Sequence, residues 1–155
     1  MLDPNVDAAA VWVGLALASL AVGGVVTELP RPTPPSADPL ARTVDTAAAT
    51  DRAATASHPV AADAVRVGPR SVAVRGPGGT DHETLSYGPI TPARPGTDLC
   101  RVARGTRPSS AFADERALAT AARAARERDP IWAETDRVVA RTVTWGEVDV
   151  TLVCA

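Results

Sequence analysis

Lysine is absent from this 155-residue chain, so arginine carries all 16 basic charges; 18 acidic residues leave a net charge of −2. Aromatics are also scarce: Trp12, Tyr87, Phe112, Trp132 and Trp145. Without a basic surplus or a run of stacking rings, the chain does not read as a nucleic-acid binder. Two cysteines exclude a disulfide-dense mini-protein, and with no C-x-x-C neither thioredoxin chemistry nor a zinc ribbon has support. A Ser-His-Asp or Cys-His site would have to use His58 or His82, and there is no G-x-S-x-G nucleophile motif. Asp81-His82-Glu83 suggests a metal site, but on a strand Asp81 and Glu83 face one way and His82 the other. Gly76 to Thr80 (GPGGT) has the glycines of a phosphate loop without its lysine or following helix, and reads as a turn. No catalytic, cofactor-binding or metal-binding residue is therefore expected, and no cofactor.

Alanine, at 31 positions, dominates what is present, and 14 prolines and 11 glycines promise many turns. Residues 8–26 (AAAVWVGLALASLAVGGVV) carry no charge. As a helix they would extend roughly 28 Å, close to the hydrocarbon thickness of a bilayer. Asp3 and Asp7 precede the run, Glu28 and Arg31 follow it, and Trp12 lies near one end, where an indole favours the membrane interface. The expectation is a retained single-pass anchor over residues 1–28, with the lipid bilayer as partner of residues 8–26. A buried core helix and a cleaved signal are the rivals. The acidic leading side chains oppose a signal, although Ala16-Leu17-Ala18 has the form of a cleavage site. Gly14, Ala18 and Ala21 share a helical face on which another helix could approach closely.

Residues 29–39 hold five prolines and read as a stiff spacer. Residues 40–155 then read as a small α+β domain, with two helices packed on one face of a mainly antiparallel sheet. The first helix is expected over Leu40–Ser57, capped by Asp38 and ended by His58-Pro59. Val65/Val67 and Val72/Val74 alternate around Gly68-Pro69-Arg70 and predict a hairpin. Gly76–Gly79 is a second turn and His82–Tyr87 a third strand; Thr91–Pro95 reads as a loop and Leu99–Ala103 as a short strand. The second helix is expected over Ser110–Arg128, with Ala111, Leu118, Ala122 and Ala125 as its apolar stripe. A final hairpin turns at Gly146; Val139, Val143 and Trp145 share one face of its first strand, Val148, Val150, Leu152 and Cys154 share one face of its second, and one side of this sheet is therefore apolar.

Cys100 and Cys154 both fall on core-facing strand positions in this reading. They are either a disulfide pair or two buried thiols. A disulfide implies an oxidising, extracytoplasmic setting. Arg31 and Arg42, after a run with no basic residue before it, point instead to a cytoplasmic domain.

The segments HPVAADAVRVGPRSVAVRGPGG (His58–Gly79), YGPITPARPG (Tyr87–Gly96) and WGEVDVTLV (Trp145–Val153), with the leading apolar run, resemble an uncharacterised haloarchaeal family of small single-anchor membrane proteins. The resemblance implies no activity and no catalytic residues; it implies association with pilus-like and secretion-type surface machinery. Archaeal pilin precursors carry a short basic leader where this chain reads MLDPNVD, so an accessory or minor pilin-like role is expected rather than a processed pilin. Three functional readings follow: an extracytoplasmic interaction or assembly subunit with protein partners in a surface complex, a cytoplasm-facing membrane adaptor, and an anchored hydrolase. The uncharged run leads to a first prediction. The chain should fractionate with membranes and resist extraction by high salt or carbonate, and full-length chain in the soluble fraction would refute the anchor.

Overall fold

A computed structural model describes residues 32–50 and 53–155, within which Thr33–Ala155 forms one compact unit. The uncharged run, with Trp12, Gly14, Ala18 and Ala21, lies outside the described residues. Among the described residues, no helix is long and apolar enough to cross a membrane.

The first helix, α1 (Asp38–Ala48), forms because Leu40, Ala41, Val44 and Ala47 repeat at helical spacing and are all buried. Its N-cap is Ala37 rather than Asp38, and no side chain of its own caps it. The Ala37 N–H instead donates to Asp81 Oδ2 at 2.9 Å, a tertiary cap 44 residues away in sequence. Asp38 sits in the first turn, where it pairs with Arg42 at 3.0 Å. The helix ends at Ala48, not Ser57. Thr43, Thr46 and Thr50 each donate their hydroxyl to the carbonyl four residues back. Thr55–Pro59, expected to complete this helix, is a strand, β1. His58-Pro59 closes that strand at a sheet edge, where proline is tolerated.

The hairpin of β2 (Ala64–Val67) and β3 (Ser71–Gly76) has the predicted strands, with Val65 opposite Val74 and Val67 opposite Val72. GPGG turns the chain into β4 (Gly79–Thr84), three residues earlier than expected. Thr91–Ala93, read as loop because of its prolines, is a short strand, β5. Leu99–Ala103, read as a strand, belongs to helix α2 (Asp98–Ala103). Thr97 caps it by accepting from the Cys100 N–H at 3.3 Å, and Leu99, Cys100, Val102 and Ala103 are buried at helical spacing. The expected Ser110–Arg128 helix is two: α3 (Pro108–Ala111) and α4 (Glu115–Glu127). Asp114 makes the break by leaving the helix and accepting from the Ala117 N–H at 2.7 Å. The chain ends with β6 (Trp132–Ala133) and the long hairpin β7 (Arg137–Trp145) and β8 (Val148–Cys154). Gly146, at φ +61°, makes the turn between β7 and β8, where a Cβ would collide with the Glu115 carboxylate.

The fold is thus α+β and mainly antiparallel, but it has two four-stranded sheets where one was expected. The first runs β1-β7-β8-β5, with β5 parallel to β8; the second runs β4-β3-β2-β6 and is antiparallel throughout. Four helices are described, not two. The first sheet is covered on both faces rather than one. On one face Val138, Ala140 and Val153 join α1 and the inward valines of the second sheet in one core. On the other, Val143, Val150, Leu152 and Cys154 pack with α2 and α4 in a second core.

The polar stretch of the first face tolerates this cover because its hydroxyls are partnered. Thr142, 3% exposed, donates to the Ala47 carbonyl of α1 at 2.6 Å and lies 3.1 Å from the Thr151 hydroxyl. Thr91 is fully buried in β5, and its hydroxyl has no partner among the described residues. The two threonines should therefore respond oppositely to the same change. Thr142→Val should cost about 1–2 kcal/mol, whereas Thr91→Val should be neutral or stabilising. Thermal unfolding of the full chain in detergent, followed by circular dichroism, checks both.

Candidate functional site

Cys100 and Cys154, 54 positions apart in sequence, form a disulfide with Cα atoms 5.2 Å apart. Both residues are buried, at 2% and 0% exposure. Helix α2 brings Cys100 down onto the same sheet face as Cys154, so the bond fastens the last strand to the helix that covers it. The expected proximity holds, although Cys100 reaches it from a helix and not from a neighbouring strand. The closed loop makes the bridge worth about 4 kcal/mol on chain-entropy grounds. Cys154→Ser should therefore lower the unfolding midpoint markedly under oxidising conditions and much less under reduction, as read by thermal unfolding with and without reductant.

The polar groups discounted from sequence do not converge on one point. Asp81 is spent on the Ala37 N–H. His82 stands on the opposite face of β4, and His58 Nδ1 lies 3.4 Å from the Thr43 hydroxyl beside α1. Among the described residues, no three His, Cys, Asp or Glu side chains are grouped to hold a metal. Asp45 receives the N–H groups of both Ser86 and Tyr87 at 3.1 Å and so ties the loop before β5 to α1. Beside that loop a polar groove of about 450 Å³ is lined by Ser86, Tyr87, Arg126, Thr142, Asp149 and Thr151. Its threonine hydroxyls already serve one another and Ala47, and Tyr87 on its rim is 53% exposed.

One grouping was not anticipated. On the outward face of the second sheet, the Arg66 and Arg75 guanidinium carbons lie 4.8 and 4.7 Å from the centroid of the Trp132 ring. Register builds this group: Arg66 is opposite Trp132 on one side and Ala73 on the other, and Arg75 is opposite Ala64. Ala64 and Ala73 are 3% exposed although they belong to neither core, as expected of a floor beneath longer side chains. The outward placement of both arginines was legible in the valine alternation of the hairpin. The arrival of Trp132 beside them was not, because β6 is two residues long and carries no period of its own.

No curated protein and no solved structure matches the chain. A family model does, over residues 3–143, a span that takes in the uncharged run, both hairpins of the second sheet and Cys100. The chain therefore belongs to a family of unknown function (DUF7283).

Proposed function

We propose that the protein is a membrane-anchored interaction or assembly subunit, held by residues 8–26 and displaying Thr33–Ala155 outside the cytoplasm. The observation that carries the reading is the Cys100–Cys154 bridge, since a buried disulfide persists in an oxidising compartment and is rare in a reducing one. Supporting it are the length and neutrality of the run, and a family match that extends through it. Asp81, Asp45 and Thr142 are committed to backbone groups, and the exposed arginines stacked on Trp132 support an interaction role over a catalytic one. Accessory service to a haloarchaeal pilus-like or secretion apparatus is the finer form of this proposal. It rests on the sequence resemblance and on the arginine-only composition.

A cytoplasm-facing adaptor is the second reading, favoured by Arg31 and Arg42 after the run. Protease added to intact cells distinguishes the two. The proposed topology predicts digestion of the domain from outside and release of bridged fragments that separate only on reduction. Protection in intact cells, with digestion in inverted vesicles, would establish the adaptor orientation instead.

A further inference from the structure

The polar groove beside Ser86 and Tyr87 has a cause in the register of the first sheet. Strand β5 pairs with β8 only at Leu152, Val153 and Cys154. Residues 148–151 of β8 therefore have β7 on one side and no strand on the other. Thr142 shows which way the backbone points there. Its N–H turns away from β8 and donates to the Ala54 carbonyl at 2.9 Å, so Thr151, directly opposite, turns its own backbone groups away from β7. Two residues earlier Asp149 does the same, and among the described residues its N–H and C=O meet no partner. They open into the groove of about 450 Å³, which is lined on its other side by residues 86–90, the chain leading into β5.

Four side chains with uncommitted polar ends border this space: Ser86, Tyr87, Arg126 and Asp149. Among the described residues, none of the four has a side-chain hydrogen bond or an ion pair. Together they supply a planar cation, a planar anion and two hydroxyls, and the two charges cancel. Tyr87 is the single tyrosine of the chain and is 53% exposed. The segment that carries it is fixed. Asp45 holds the N–H groups of Ser86 and Tyr87, and the Leu85 and Ile90 N–H groups donate to the carbonyls of Arg70 and Pro69, each at 2.9 Å. Binding here is not opposed by the entropy of ordering a loop.

These walls select an occupant that is compact, uncharged and rich in hydroxyls, with one apolar face. A phosphate or carboxylate drawn to Arg126 would also meet the Asp149 carboxylate. Donors and acceptors in equal supply suit groups that both give and accept, as hydroxyls do. A phenol ring with two torsions is a rigid platform for an apolar C–H face. A peptide strand fits less well, because the slot closes where β5 joins β8 and leaves no path for a chain running along the edge. We propose that the groove binds a neutral sugar unit, a hexose stacked on Tyr87 with its hydroxyls bound by Arg126 and by the side chain and backbone of Asp149. This goes beyond the interaction-subunit reading and does not depend on the anchor.

The test is saturation-transfer NMR on the full chain in a detergent without a sugar headgroup. The probes are glucose, galactose, mannose and N-acetylglucosamine, each also as its methyl glycoside, at roughly millimolar concentration, where so small a ligand binds. At least one neutral hexose should receive saturation, most strongly at the C–H protons of one ring face. Tyr87→Ala should weaken binding about tenfold and Tyr87→Phe less than about threefold, since the ring makes the stacking contact. Asp149→Asn should weaken it about tenfold. Unchanged circular dichroism shows that the variants fold, and Asp149→Asn, at an exposed position, reads the site if Tyr87→Ala does not. A methyl glycoside that binds as well as its free sugar assigns the site to the end of a glycan chain; one that fails assigns it to the free sugar. No transfer to any neutral hexose overturns the proposal, as does binding that survives both Tyr87→Ala and Asp149→Asn. Glucuronate or glucose 6-phosphate binding in place of the neutral sugars would make the groove an anion site. Tetraglycine binding in their place would make it a strand-edge peptide site. Either result overturns the sugar proposal.

Discussion

The antiparallel pairing of β7 with β8 is the constraint on which the rest of the domain depends. Seven consecutive residue pairs, from Val139 with Cys154 to Trp145 with Val148, set which side chains point to which face. Alternation sends Val138, Ala140 and Val153 into one core and Val143, Val150, Leu152 and Cys154 into the other. A one-residue slip would exchange these sets and move Cys154 away from Cys100. Gly146 guards against a slip, because its positive φ and the Glu115 carboxylate, which accepts the Glu147 N–H at 3.2 Å, hold the turn in place.

Around that hairpin the domain economises on volume. Alanine supplies much of both cores, so helices and sheets approach closely, and the largest buried side chains are a few leucines, isoleucine and valines. Small side chains bury little apolar area each, which raises the importance of fastenings that do not depend on area. The disulfide is one. Asp81 capping α1 and Asp45 holding the Ser86–Tyr87 loop are others, each joining elements more than 40 residues apart in sequence. Both carboxylates are thereby committed to backbone N–H groups.

The outward face of the second sheet carries two arginines stacked on one indole. There the charges are neither paired nor spent on carbonyls, and the indole that orients them leaves their donor edges open. The two sheets differ in what covers them. The first is enclosed on both sides; the second gives its valines to the core and its arginines to the outside.

Elements whose own residues carry a period were legible in the sequence: the two valine hairpins, the stripe Leu118–Ala122–Ala125, and the inward placement of both cysteines. Elements that form only because a partner exists were not. Thr55–Pro59 and Thr91–Ala93 have weak strand character and prolines, and are strands because β7 and β8 offer them free edges. Leu99–Ala103 fits both periods over five residues, and the Thr97 cap with packing on the sheet decided for helix. The second cover on the first sheet could not be foreseen either, since Thr142 is buried only because the Ala47 carbonyl meets its hydroxyl. The same holds for the Arg66–Trp132–Arg75 group. The hairpin alternation placed its charges outward, but only tertiary pairing delivered the ring, because contacts between residues far apart in the chain leave no periodic trace in either segment.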